Sequence, residues 1–99
     1  MKVIALKGLR IDLVDVDNTP DAIYNAVGGT PETIALRDGG AMVCDMFAQI
    51  KEKPYNSVAS LIAGSCVYGD AFICGICGDG FRDVPDAFIE ILNFPEDMR

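Results

Sequence analysis

Ninety-nine residues carry 51% apolar side chains, 15 Asp and Glu against 8 Lys and Arg, four cysteines and no histidine. That length holds one domain with a real core, residues 1–99 as a single unit. The net charge of −7 disfavours direct nucleic-acid binding, and the missing histidine removes histidine general bases, Cys-His and Ser-His nucleophile pairs and Cys/His zinc sites.

Val3 to Leu6 reads as a short apolar strand, with Gly8 permitting a turn after it. Ile11 to Val16 alternates, Ile11 and Leu13 on one phase and Val14 and Val16 on the other, which predicts a second strand. Thr19 is a good N-cap, Pro20 suits the first helical position and Asp21 sits well near the positive helix end. Ala22, Ile23, Ala26 and Val27 then repeat at helical spacing until Gly28-Gly29 stops the helix.

Thr33 to Leu36 and Ala41 to Cys44 read as strands around the glycine-bearing turn Arg37-Asp38-Gly39-Gly40. Pro54 disfavours helix at Lys53, so Asp45 to Ser57 is expected to be a loop with one helical turn at Phe47 to Ile50. Val58 to Cys77 carries one charge, Asp70, and is too broken by glycine for a membrane span. It reads as two buried strands, Val58 to Val67 and Ala71 to Cys77. A turn at Gly78-Asp79-Gly80 leads to a last helix capped by Asp83, with Val84, Ala87, Phe88, Ile91 and Leu92 on one face. Asn93 to Arg99 is expected to fray.

The order β-β-α-β-β-β-β-α predicts an α+β domain: a mostly antiparallel sheet of about five to six strands with two short helices packed on it. Domains of this size leave apolar surface uncovered, so a homo-oligomer is expected. The start MKVIALKG has no basic region followed by a long apolar run, so neither a signal peptide nor membrane contact is expected. Four cysteines without such a signal point to free thiols in a cytoplasmic setting.

Two stretches are almost without cations. Ile11 to Leu36 holds Asp12, Asp15, Asp17, Asp21 and Glu32 with no Lys or Arg, and Asp79 to Asp97 holds six acids against Arg82 alone. Such faces suit a basic protein surface, including one that normally holds nucleic acid, or simply keep a greasy domain soluble. Asp15-Val16-Asp17-Asn18 with Asp21 lacks the glycine and terminal Glu of a calcium loop, so helix capping is the expected role of Asn18, Thr19 and Asp21. Cys74-Gly75-Ile76-Cys77 lies in a predicted strand, where redox activation by a helix dipole is absent. Cys44 and Cys66 lack paired zinc spacing, so core packing is expected of the thiols, and neither a metal nor a cofactor. No catalytic residue stands out.

Lys51-Glu52-Lys53-Pro54-Tyr55-Asn56-Ser57 is the one segment built like a binding loop. Lys51 and Lys53 suit phosphate, Tyr55 can stack on a base, and Asn56 can read a base or ribose edge.

Asp17-Asn18-Thr19 before a helix ending Ala26-Val27-Gly28-Gly29, then a strand, a turn and Val43-Cys44, form one series of motifs. Pro54-Tyr55-Asn56, Leu61-Ile62-Ala63-Gly64-Ser65 and Phe81 before a helix form a second. In this order the chain resembles an uncharacterised small domain-of-unknown-function family found in phages, plasmids and Firmicutes. The resemblance implies a mobile-element, intracellular setting and no mechanism. Ser57 stands where that family commonly places Arg, which weakens an anion site there, and Asp45 to Lys51 lacks an expected acidic-glycine turn.

The expected function is a non-enzymatic phage-type accessory protein that sequesters a nucleotide-derived signal against host defence, as an oligomer, through Lys51, Lys53, Tyr55 and Asn56. The alternative is an acidic inhibitor that occupies a basic surface of a host enzyme. A third reading is a zinc or redox domain using Cys44, Cys66, Cys74 and Cys77.

Overall fold

The computed structural model describes residues 1–99. The apolar run of β1 (Lys2–Lys7) and the mixed polar and apolar β2 (Arg10–Asp15) form a first antiparallel hairpin, in register Lys2↔Asp15 to Lys7↔Arg10. The helix α1 (Pro20–Val27) begins at Thr19, whose hydroxyl accepts the Ala22 N–H, and ends at Gly28. A second antiparallel hairpin joins β3 (Pro31–Ala35) to β4 (Gly40–Asp45) through a tight turn at Arg37–Gly39.

Residues 46–52 form turns, with one helical bond from Lys51 N–H to the Phe47 carbonyl. The helix α2 (Ser57–Ala63) follows, then β5 (Ala71–Cys77), the short β6 (Gly80–Arg82) and α3 (Asp86–Ile91). No helix is long and apolar enough to cross a membrane.

The α+β class, the antiparallel sheet and the strand count are as expected from the sequence. The segment Val58 to Val67 is not. It opens as a helix, because the Asn56 side chain accepts the Ala59 N–H at its start and Gly64 adopts φ 71° at its end. Those caps outweigh the strand preference of Val58, Leu61 and Ile62. Asp83 does not cap α3: its Oδ1 accepts the Lys2 N–H, 2.8 Å away. Nor is the tail free of the core, because Phe94 is buried and its carbonyl accepts from Arg99 Nε.

The sheet order is β2-β1-β5-β4-β3, with β6 also on β5. On one side β5 pairs with β4 through Ala71–Gly75; on the other it pairs with β1 through Ala71–Ile73 and with β6 through Gly75–Cys77. Helices cover both faces. Ile4, Leu6, Met42 and Ile73 pack with Phe88 and Ile89 of α3 and Ala59 of α2. On the opposite face Val3, Val43 and Phe72 pack with Ile23 and Val27 of α1. Burying side chains of this kind stabilises by about 1.5–3 kcal/mol each.

Candidate functional site

Lys51 and Lys53 do come together, but on a carboxylate of their own chain. Asp45 closes β4 with its side chain fully buried, and its Oδ2 lies 2.8 Å from both lysine Nζ atoms. Its Oδ1 accepts the Phe47 N–H. Both ammonium groups also reach the C-terminal end of α1: Lys53 donates to the Val27 and Gly28 carbonyls, and Lys51 to that of Gly28. Cations there complement the helix dipole and fill orphan carbonyls. Gly29 makes room for the pair, since a Cβ at this position would stand 2.4 Å from the Asp45 carboxylate.

Burial pulls the Asp45 carboxyl upward, and the hydrogen bonds from Lys51, Lys53 and the Phe47 N–H outweigh it, holding the group down at about 2 against an ordinary 3.8. A depressed folded-state value means that the clamp stabilises the fold above the ordinary value and loses that contribution as pH falls through about 2. Asp45→Asn is therefore expected to lower stability by about 2 kcal/mol at pH 6. Urea unfolding at falling pH should show the gap to the wild type narrowing; a gap constant down to pH 2 would contradict this account.

Asn56 is equally committed. It is 2% exposed, its Nδ2 donates to the Leu6 carbonyl (2.9 Å) and the Gly69 carbonyl (2.8 Å), and its Oδ1 caps α2. Tyr55 faces solvent at 55% exposure, in a T-shaped contact with the Tyr68 ring, and Lys51 is exposed as well while its ammonium holds Asp45. The four residues singled out in the sequence thus share a segment without converging on a ligand volume.

A different set of residues does line one volume. Along α1 runs a groove of about 550 Å³ between the start of that helix, the start of β3 and the turn before β6. Ile23, Tyr24, Pro31 and Phe81 give it apolar and aromatic walls, while Asp21 and Asp79 supply carboxylates and no Lys or Arg lines it. Asn18 ties its two sides together, Nδ2 donating to the Phe81 carbonyl at 2.9 Å. Asn18, Thr19 and Phe81 all belong to the motifs that carry the family resemblance. Tyr24 and Asp79 had no local signal; the shortage of cations around both segments was the available one.

The thiols divide by burial. Cys44 and Cys74 lie in the core, as expected, whereas Cys66 and Cys77 are exposed, so core packing accounts for half of the set. Burial pushes the Cys74 thiol up to about 11. Burial, with the Glu32 and Asp45 charges, raises Cys44 as well. Such thiols resist becoming thiolates. No group of three or more Cys, Asp and Glu side chains is arranged to hold a metal ion.

The family model described as Domain of unknown function (DUF3846) matches residues 1–96, which bears out the resemblance to an uncharacterised small-domain family. No curated protein and no solved structure matches the chain.

Proposed function

The chain belongs to the family Domain of unknown function (DUF3846), and we propose that it is an acidic binding protein that occupies a basic surface of a partner protein. One observation carries this reading. The fold brings the two cation-poor stretches to the same groove, Asn18 to Tyr24 from the first and Asp79 to Phe81 from the second. Elsewhere Arg10, Arg37, Lys51, Lys53 and Arg99 are each held by a carboxylate of the same chain. The remaining acids therefore dominate the field that a partner meets.

An arginine or lysine side chain of the partner suits the groove. Its aliphatic stem lies against Pro31 and Ile23, its charge sits near the Tyr24 and Phe81 rings, and Asp21 and Asp79 balance it. Exposed carboxylates of this kind steer association and choose the partner more than they fix affinity. The nucleotide reading has less support, because the lysines and the amide it would use are occupied by Asp45, backbone carbonyls and the α2 cap.

A fluorescent oligo-arginine peptide tests the proposal by anisotropy. Asp21→Asn with Asp79→Asn is expected to weaken binding about tenfold at about 50 mM salt, with the difference fading at about 500 mM. Asp86→Asn with Glu90→Asn on α3 changes the net charge equally and is expected to cost much less. Equal losses from both pairs would reduce the effect to net charge and overturn the site. Cyclic nucleotides and ADP-ribose are expected to leave the melting temperature unchanged; stabilisation by any of them would favour the nucleotide reading instead.

A further inference from the structure

We infer that the outer edge of β3 is where an extended segment of the partner adds as a further strand, with alternating basic and apolar side chains. This rests on the proposed reading of the acidic groove and names the backbone geometry by which it is reached.

Apart from the three-residue β6, whose Phe81 carbonyl is taken by Asn18, the sheet ends in two edges, β2 and β3, and they differ. The β2 edge carries Arg10, Asp12 and Asp15, with Arg10 and Asp12 paired at 3.1 Å, the kind of charged strand that discourages pairing. The β3 edge carries one charge, Glu32, in Pro31–Ala35. Its free backbone groups follow from parity. Leu36 N–H donates to the Gly40 carbonyl, and Met46 N–H donates to the Thr30 carbonyl. Even-numbered residues of this strand therefore face β4, and the N–H groups of Thr33 and Ala35 point away from the sheet. Both residues are exposed.

Volumes open on both faces beside this edge. At the start of β3, Thr30 and Pro31 border the acidic groove against α1. At its end, Ala35 and Leu36 border an apolar groove of about 400 Å³ formed with Ile62 of α2 and Phe88 and Ile91 of α3. Successive side chains of an added strand alternate between the two faces. One phase would meet Asp21 and the aromatic walls, and the other would meet aliphatic surface. Main-chain bonds to Thr33 and Ala35 supply affinity, and the two grooves supply the pattern. A second copy of the chain is the poorer occupant, because it brings the same charge of −7 and places its own Glu32 at the join.

The probe is an eight-residue peptide of alternating arginine and valine, with a twin whose alternate backbone amides are N-methylated. The unmodified peptide should bind, slow hydrogen exchange at Thr33 and Ala35, and bind at least about tenfold better than the twin. Thr33→Pro removes an N–H that bonds nothing in the sheet, so the variant should fold and lose binding to the same extent. Equal binding of both peptides overturns the edge while the acidic groove survives. Binding that depends on Thr33 but ignores Asp21→Asn with Asp79→Asn keeps the edge and removes the acidic reading. No binding of either peptide overturns both. Dimerisation of the free protein that Thr33→Pro abolishes would assign the edge to a second copy and overturn the inference.

Discussion

Asn56→Asp is expected to remove a large part of the protein's stability at pH 7, although one atom changes. The carboxylate keeps the Ala59 N–H as a cap, but where Asn56 donates to the Leu6 and Gly69 carbonyls it would set negative oxygen against both of them. A buried charge without partners costs at least about 3–5 kcal/mol, against a total stability of about 5–15 kcal/mol for a domain. Asn56→Ala avoids the repulsion and still loses about 1 kcal/mol for the cap and about 1–3 kcal/mol for the carbonyl left unpaired in the core. Urea denaturation should rank wild type, Ala and Asp in falling order at pH 7. The Asp variant should recover part of its loss as pH drops, because protonation restores one donor. Equal stability of all three would mean that Asn56 does not hold β1 to α2.

Gly75→Ala is the second substitution expected to do severe damage. Gly75 pairs with Gly40 on one side and Arg82 on the other. A Cβ there would stand 2.4 Å from the Asp83 carbonyl oxygen and 2.8 Å from Arg82 Cγ. Backbone cannot rotate aside as a side chain can, so the link from β6 to α3 must lift from the sheet. Overpacking of this kind costs about 1–3 kcal/mol and occasionally more. Hydrogen exchange should locate the loss at Val84, whose N–H donates to the Lys2 carbonyl at 2.8 Å. Gly78→Ala, where a Cβ meets nothing within 4 Å but φ is 61°, is the control, limited to the local backbone cost of about 1 kcal/mol. Similar losses at both positions would show that the close approach is not the cause.

Much of the architecture was legible locally. A short apolar run marks β1, alternation marks β2, a glycine-bearing turn marks the β3–β4 hairpin, and Thr19-Pro20 with Gly28 marks α1 at both ends. The start of α2 was legible in principle, since Asn56 and Gly64 bracket it at cap spacing. Its apolar content drowned that signal, because a buried strand and a short buried helix have similar composition. Asp83 failed as a predicted cap for another reason: its partner, the Lys2 N–H, lies 81 residues away.

The candidate site divides the same way. Two lysines close together in an acidic chain are conspicuous, yet their meaning depends on Asp45 and on the carbonyls ending α1, more than 20 residues upstream of either lysine. The groove was invisible, because Asn18 and Phe81 meet only through tertiary structure, 63 residues apart.

The place of β5 in the sheet governs how the molecule comes into being. Both hairpins are complete by Asp45, yet only the strand that begins at Ala71 joins them. Two-stranded ribbons are at best marginal on their own in water. A growing chain thus exposes two ribbons with no strand between them until the middle strand leaves the ribosome, and the sheet cannot close before then. Synthesis that stops short of residue 71 yields no smaller version of this protein, only fragments with apolar faces and nothing to cover them.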